Sequence, residues 1–162
     1  MVSVVYCSNP WENDRTVTTN TVIDGDTFYA TSGDKIRLAD IDAPESNETG
    51  YDNAKSMLTS LVYNRQVYLD IDDVYRTDTY GRLVCVVYVD YNSTHIKNVN
   101  KALLVGGVAT IWDHENEFNP SMWTLYVQKA VIPEFPSTVV LTIFLVTIIL
   151  AVLIPRLLGL RH

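Results

Sequence analysis

An uncharged run near the C-terminus divides this chain into two parts that must fold in different surroundings. From Phe135 to Pro155 no side chain carries a charge, and 14 of the 18 residues in Ser137–Ile154 are apolar. A helix over the 21-residue run would span about 31 Å, close to the hydrocarbon thickness of a bilayer. A buried core helix is the alternative, but it rarely keeps so long a run free of charge. The sequence therefore predicts a lead-in at 1–15, a folded domain at 16–132, a linker at 133–137, a transmembrane helix at 138–155 and a short basic tail at 156–162.

The charges that flank this run favour one orientation in the membrane, whereas the N-terminus favours the other. Arg156 and Arg161 follow the run and Glu134 precedes it, so the positive-inside rule places the C-terminus in the cytoplasm and the domain outside. The segment Met1–Pro10 has no basic part and too short an apolar part for a secretory signal peptide. Without export the domain would face the cytoplasm. We expect a membrane-anchored protein with its domain on the extracellular side, and the cytoplasmic orientation is the alternative.

The domain is acidic, which limits how it could bind a nucleic acid. All 19 acidic residues but only ten of the 12 basic residues precede position 137, which gives this part a net charge of −9. Coating a polyanion through charge alone requires a basic surface. If the domain acts on nucleic acid, it must supply positive charge locally, through a bound cation or a few placed arginines. The two cysteines are too few for a disulfide scaffold or a structural zinc site.

Short β-type segments separated by Asp-Gly and Ser-Gly turn signals dominate the domain. The predicted strands are Thr16–Ile23, Thr27–Thr31, Lys35–Leu38, Gln66–Ile71 and Leu83–Tyr91. The predicted helices are Tyr51–Val62, Val99–Val105 and a third that starts at Asn119 and runs to about Val131. Five strands with an inserted helix are typical of the OB class. We therefore expect an α+β, mainly β fold, a five-stranded OB-fold barrel with three helices, plus one C-terminal transmembrane helix.

Two turn segments of the domain concentrate charged residues. Ile23–Thr27 carries Asp24 and Asp26 around a glycine, a pattern that on its own is typical of a hairpin turn. Arg76–Arg82 carries two arginines and an aspartate ahead of an apolar strand, and it has the composition of a charged hairpin loop. Neither segment alone indicates a function.

A third charged segment, Arg37–Glu45, lies at the end of a predicted strand. Asp40 and Asp42 are two residues apart, so both project to one face while the strand stays regular. Oxygen donors alone suit a hard cation such as Ca²⁺ or Mg²⁺, and the spacing does not choose between these two aspartates. Together the three segments offer carboxylates for a cation, two arginines for a phosphate and one spare carboxylate. Phosphodiester hydrolysis requires that set.

The order and spacing of these segments resemble the thermonuclease (staphylococcal nuclease) family. The matching motifs are D-G-D-T, R-x-x-x-x-D-x-P-E and R-T-D-x-Y-G-R, followed by Val99–Leu103 and Gly107–Ala109. The resemblance covers residues 16–131. It implies an OB-fold barrel with three helices and a Ca²⁺-dependent endonuclease that acts on DNA and RNA and leaves 3′-phosphate ends. We expect single-stranded substrates to be preferred.

The resemblance also implies roles for individual residues. Asp26, Asp42 and the backbone carbonyl of Ala43 match the metal ligands of the family, and Asp24 matches a carboxylate just outside the ligand set. The catalytic residues of the family match Arg37, Glu45 and Arg82, with Glu45 as the general base that orients and deprotonates water. The family gives no role to Asp40.

The substrate-contacting residues depart from the family pattern. Tyr80 is our candidate for a phosphate or base contact. The tyrosines that the family places late in the barrel are missing, and the matching stretch Ala109–Glu115 is acidic. We expect Trp112 to substitute for them, because any aromatic face can stack on a base.

The segment Pro133–Ser137, followed by the apolar run and a basic end, resembles the PEF-type sorting signals of archaeal surface proteins. That resemblance implies that the domain stays on the cell surface. A function from another class also fits the barrel, namely a catalytically silent OB module that binds nucleic acid or a partner protein. Such modules typically lose a catalytic Arg or Glu, whereas Arg37, Glu45 and Arg82 are all present here.

Overall fold

The computed structural model describes residues 11–129, in which nine short strands alternate with two helices and one 3₁₀ turn. β-branched and aromatic residues fill the strands, and Gly, Asp and Asn fill many of the turns between them. The strands are β1 (Arg15–Val22), β2 (Thr27–Ala30), β3 (Lys35–Leu38), β4 (Ile41–Asp42), β5 (Gln66–Ile71), β6 (Leu83–Asp90), β7 (His95–Asn98), β8 (Thr110–Ile111) and β9 (Tyr126–Gln128). The helices are α1 (Tyr51–Val62) and α2 (Val99–Val105), and the 3₁₀ turn covers Pro120–Met122.

Five of the strands close into a barrel because the first and last of them pair with each other. Neighbours follow the order β3-β2-β1-β5-β6, and β3 then pairs with β6. This closing pair is parallel, with Ile36 opposite Leu83 and Leu38 opposite Cys85, whereas the other pairs of the ring are antiparallel. Strands β7 and β9 extend the sheet beyond β6, and β4 pairs with β8. The predicted five-stranded, OB-like barrel is confirmed.

Helix α1 packs its apolar face into the core of the barrel. It starts after Gly50, which has a left-handed φ of 101°, and ends where Tyr63 turns extended. Ala54, Leu58 and Val62, four residues apart, are fully buried in the same cluster as the barrel core. Burying a side chain of the size of Leu contributes about 1.5–3 kcal/mol.

A buried amide joins α2 to the closing strands. Asn100 is fully buried, and its Nδ2 donates to the carbonyl oxygens of Ala39 (2.9 Å) and Cys85 (3.2 Å). Its Oδ1 accepts from the backbone N–H of Val87 at 3.1 Å. Because a fully bonded buried amide is costly to disrupt, Asn100 fixes α2 against β6 and against the end of β3.

Most predicted elements are confirmed. Strands β3 and β5 and both helices have the predicted bounds, and β1, β2 and β6 differ from prediction by one residue at one or both ends. The sequence analysis missed β4, β7 and β8, which have two to four residues each. Segments this short show no readable alternation, and only their partners identify them as strands.

The predicted third helix, from Asn119 to about Val131, is wrong over the residues that the structure describes. Asn119 and Pro120 do start a turn, with the Asn119 side chain accepting from the Ser121 N–H at 3.0 Å, but the turn ends at Met122. The chain then forms β9, in which Val127 is buried between two exposed neighbours. β9 pairs with β7, whose edge would otherwise lack hydrogen-bond partners. The described domain therefore has two α-helices rather than three.

The membrane segment predicted at 138–155 lies outside the described residues, as do the linker, the basic tail and residues 1–10. Within residues 11–129 the longer helix is α1, with 12 residues, and no helix is long and apolar enough to cross a membrane.

The segment that precedes β1 packs on an acidic edge of the barrel. The Trp11 ring centroid lies 5.1 Å from that of Tyr88. The Glu12 N–H donates to Asp70 Oδ2 at 3.1 Å, and Asp14 Oδ2 accepts from the Ile71 N–H at 2.7 Å. Burial is the main cause that raises the pKa of Asp70, to about 7, and neighbouring carboxylates, among them Glu117, add to the effect. The charged form of Asp70 therefore costs folding free energy.

We predict that Asp70→Asn stabilises the domain at pH 8 and leaves its stability near pH 4 unchanged. Because folding raises this pKa from 3.8 to about 7, stability falls as pH rises between those two values; the cost is fully present above about pH 7 and small near pH 4. The gain at pH 8 should be on the order of 1–3 kcal/mol. Chemical denaturation in the presence of EDTA at the two pH values measures it.

Asp90→Asn is the matched control with the opposite sign. The hydrogen bond from Lys129 is the main cause that lowers the pKa of Asp90. Removal of the Asp90 carboxylate should therefore lower the free energy of unfolding at pH 8. A loss of stability at pH 8 in Asp70→Asn would contradict the prediction.

Candidate active site

The hairpin of β2 and β3 brings an aspartate and an arginine together at one end of the barrel. Thr27 pairs with Arg37 across the two strands, which sets Asp26 beside the arginine. Arg37 Nη1 lies 2.7 Å from Asp26 Oδ2, and the two side chains are only 11% and 9% exposed. Charges this buried must be paired to be tolerated, so each fixes the position of the other.

Asp26 accepts further hydrogen bonds from two sides. Its Oδ1 accepts from the Thr27 hydroxyl at 2.9 Å, and its Oδ2 accepts from the Ala43 N–H at 3.1 Å. Burial is the largest influence on its pKa, which is raised to about 6, with Arg37 lowering it and the charge of Asp24 raising it. Burial therefore disfavours the charged form of Asp26, and Arg37 is the neighbour that stabilises that form most.

Barrel closure brings the second arginine to the same place. Arg37 pairs with Val84 in β6, and Arg82 lies two residues before Val84. Arg82 Nη1 donates to the Thr27 hydroxyl at 3.3 Å, so hydrogen bonds and one ion pair connect Arg37, Asp26, Thr27 and Arg82 in that order. We call these four residues the arginine relay. Thr27 was not predicted as a site residue, although its hydroxyl connects the Arg37–Asp26 pair to Arg82.

The loop before β6 holds the Arg82 guanidinium in place. Asp78 Oδ2 accepts from Arg82 Nε at 2.6 Å, and Asp78 Oδ1 accepts from the N–H groups of Tyr80 and Arg82. Tyr80 is 81% exposed, and its ring centroid lies 5.3 Å from the centre of the guanidinium. Tyr80 is therefore next to Arg82 and accessible, as a substrate-contacting residue must be.

The remaining predicted site residues lie on β4 and on the loop that follows it. Asp42 is exposed, and its Oδ1 lies 3.5 Å from Arg37 Nη2. Asp24 Oδ1 accepts a hydrogen bond from the Asp26 N–H at 3.1 Å. Glu45 is exposed, and its N–H donates to Glu48 at 2.9 Å. Among residues 11–129 no hydrogen bond or ion pair joins the Glu45 carboxylate to either arginine.

The predicted metal ligands meet at Arg37 rather than in a tight carboxylate cluster. Within the described chain, the carboxylate trios whose oxygens lie within 4.8 Å of one another are Glu12–Asp14–Asp70 and Glu12–Asp73–Glu117. Neither trio contains a predicted ligand. Asp26 and Asp42 both approach Arg37, and Ala43 is tied to Asp26 through its N–H, so the three predicted ligands are neighbours.

A cavity of about 530 Å³ adjoins the arginine relay. Its lining includes Arg37, Arg82, Tyr80, Trp112 and His114. The rings of Trp112 and His114 lie 4.5 Å apart, centroid to centroid. The two predicted substrate residues, Tyr80 and Trp112, therefore share one cavity with both arginines. A cavity of this size with aromatic and charged walls is typical of a small-ligand or nucleotide subsite.

Gly25 lets the turn that carries Asp24 and Asp26 pack tightly. A Cβ at this position would lie 2.5 Å from the Cβ of Ala43 and 2.6 Å from the Cβ of Ala54 in α1. Both distances are shorter than van der Waals contact allows. The glycine therefore permits the close approach of Asp26 to the Ala43 N–H.

Similarity to known proteins covers the same part of the chain. A family model described as staphylococcal nuclease homologue matches residues 35–130, which include Arg37, Asp42, Glu45 and Arg82. The chain belongs to the staphylococcal nuclease homologue family. This confirms the family predicted from the motifs, and the match begins after the turn that carries Asp24 and Asp26.

Curated relatives agree with this assignment. The chain is 33% identical over 112 residues to the protein ParB of Escherichia coli and 30% identical over 112 residues to the micrococcal nuclease of Shigella flexneri. These matches cover 64% and 65% of this chain and 62% of each relative. It is also 33% identical over 104 residues to endonuclease YncB of Bacillus subtilis, covering 59% of this chain and 47% of that protein. The chain thus spans about six-tenths or less of the length of these relatives.

We predict that Gly25→Ala destabilises the domain by about 2–3 kcal/mol, because the new methyl group meets two Cβ atoms in a packed core. Gly33→Ala is the control. Gly33 has a φ of 93°, and an added Cβ would meet no atom of the described residues within 4 Å, so alanine there costs about 1 kcal/mol of backbone strain alone. Urea denaturation measures both. An equal or smaller loss in Gly25→Ala would contradict the packing described for this turn.

Proposed function

We propose that this protein is a Ca²⁺-dependent nuclease that hydrolyses phosphodiester bonds of DNA and RNA, with single strands preferred and 3′-phosphate ends as products. The arginine relay is the main support: Arg37 from β3 and Arg82 from the loop before β6 border one cavity. Membership of the staphylococcal nuclease homologue family and the similarity to named nucleases support it.

The two arginines neutralise the substrate. A phosphodiester is anionic and repels an incoming water or hydroxide, so the site must offset that charge as it grows in the transition state. Arg37 and Arg82 present planar guanidinium groups to the same cavity, and such groups bind phosphate oxygens with two parallel hydrogen bonds. Asp26 and Asp78 hold these groups in fixed directions, so little ordering remains for the substrate to induce.

A calcium ion fits the donor set beside Arg37. Asp26, Asp42 and the Ala43 carbonyl supply oxygen atoms only, which suit a hard cation, and the two carboxylates lie on either side of the Arg37 guanidinium. When bound, the ion would polarise the phosphate and offset its charge. Asp24, hydrogen-bonded to the Asp26 N–H, orients the Asp26 backbone from outside the ligand set.

The general base in this proposal is Glu45. It is exposed near Asp42, so its carboxylate is free to accept a proton from a water molecule that attacks phosphorus. The bond between phosphorus and the 5′ oxygen then breaks, and the 5′ oxygen takes a proton from solvent water. The phosphate stays on the 3′ side, a hydroxyl is left on the 5′ side, and Glu45 returns its proton to solvent. Tyr80 and Trp112 line the cavity and would contact the phosphate or the bases next to the cleaved bond.

We also propose that the protein is anchored in a membrane through residues 138–155, with the domain on the outer side. The uncharged 21-residue run and the arginines after it support this, as does the PEF-like segment before it. Calcium gives an independent reason: a partly exposed site works best at the roughly millimolar concentrations found outside cells.

The direct test is cleavage of a labelled single-stranded oligonucleotide by the purified protein, with Ca²⁺ or with EDTA. We expect turnover with Ca²⁺ and none with EDTA. Because Glu45→Gln removes the proton acceptor and leaves the arginines in place, it should lower kcat about 10²-fold or more. Glu12→Gln is the matched control, since it removes an exposed carboxylate that lies outside the site.

Each failure has a separate meaning. Activity that survives EDTA would contradict the role of the cation, and full activity in Glu45→Gln would contradict the proposed base. Retention of the oligonucleotide without turnover would contradict the nuclease proposal in favour of the silent OB module.

A further inference from the structure

Asp40 adopts a backbone conformation that redirects the chain between two parts of the site. Its φ of 52° lies in the left-handed region, which Asp and Asn tolerate better than most residues. It separates β3, which carries Arg37, from β4, which carries Asp42. Ala39, just before it, is held by Asn100 and by the Cys85 carbonyl, so Asp40 starts from a fixed point of the barrel.

Three hydrogen bonds connect Asp40 to the loop at residues 112–116. In this loop Trp112 and His114 form the aromatic wall of the cavity. The Asp40 carbonyl oxygen accepts from the Trp112 N–H at 3.0 Å. Its Oδ1 accepts from the His114 N–H at 3.2 Å and from the side-chain amide of Asn116. The Asn116 Oδ1 in turn accepts from the Phe118 N–H at 2.7 Å. One residue thus holds three alternate positions of the loop, 112, 114 and 116.

The Asp40 side chain is buried although the loop that it holds is exposed. Asp40 is 4% exposed, and its Oδ2 has no hydrogen-bond partner among the described residues. Trp112, by contrast, is 52% exposed. Burial of a carboxylate with one unpartnered oxygen lowers the free energy of unfolding, so stability alone does not explain an aspartate at this position.

We propose that Asp40 is a positioning residue for the substrate, and that it fixes the Trp112–His114 wall relative to the arginine relay. The inference rests on the nuclease proposed above. Within residues 11–129 no hydrogen bond or ion pair joins Asp40 to Arg37 or Arg82. Loss of Asp40 would therefore leave the phosphate-binding groups in place and release the wall against which a base would stack. Its effect should therefore fall on KM and not on kcat.

The test uses three variants of the full protein. Asp40→Gly keeps the left-handed backbone and removes the carboxylate, and we expect KM to rise about tenfold with kcat nearly unchanged. Asp40→Asn keeps an acceptor oxygen and the backbone conformation, so it should restore most of the wild-type KM. Asn64→Gly is the matched control, because Asn64 has a φ of 54° in the turn after α1 and lies outside the site. It should leave both constants unchanged.

Amide hydrogen exchange separates failure of this inference from failure of the proposed function. If the wild type does not cleave, faster exchange confined to residues 112–116 in Asp40→Gly still supports the anchoring of the wall. An unchanged KM, a fall in kcat equal to the rise in KM, or unchanged exchange over that segment would overturn the inference.

Discussion

The parallel pairing of β3 with β6 is the contact on which the rest of the domain depends. It closes the barrel, and it is also the pairing that brings Arg37 within two residues of Arg82 across the strands. The buried Asn100 amide supports it by bonding to β6 and to the end of β3 at once. An OB-like barrel that failed to close here would keep most of its hairpins and lose the site. Fold and function therefore share one set of hydrogen bonds.

The site places two arginines, each paired with an aspartate, in a domain whose net charge is negative. Asp26 orients Arg37, Asp78 orients Arg82, and Thr27 lies between the two pairs. Each guanidinium group is thus held by neighbours that also limit its exposure. Such pairs cost desolvation energy and are weak evidence for stability. Their geometry is explained by the proposal that a substrate phosphate binds between them. The net charge of −7 for the whole chain opposes unspecific binding of nucleic acid. In the proposed function, binding of the nucleic acid therefore depends on the end of the barrel that carries Arg37 and Arg82.

The sequence was sufficient for features that depend on local pattern. The strands Lys35–Leu38 and Gln66–Ile71 and both helices follow from alternation and helical spacing, and the motifs identified the family. It was insufficient where a distant partner decides the outcome. The stretch after Asn119 has good helix-start residues, yet the open edge of β7 draws it into a strand. Asp40 and Asp42 could not be told apart by spacing, because only the left-handed turn at Asp40 and its bonds to the loop at 112–116 separate their roles.

A double-mutant cycle on kcat/KM for cleavage of single-stranded DNA, with Arg37→Lys, Arg82→Lys and both together, tests whether the two guanidinium groups act on one phosphate. If both guanidinium groups bind the same phosphate, each single change should cost about 10²–10³ in rate, and the double change should cost far less than the product of the two. Arg65→Lys, an exposed arginine outside the site, should have no effect. Independent effects that multiply in the double variant, or single changes no larger than that of Arg65→Lys, would contradict the account.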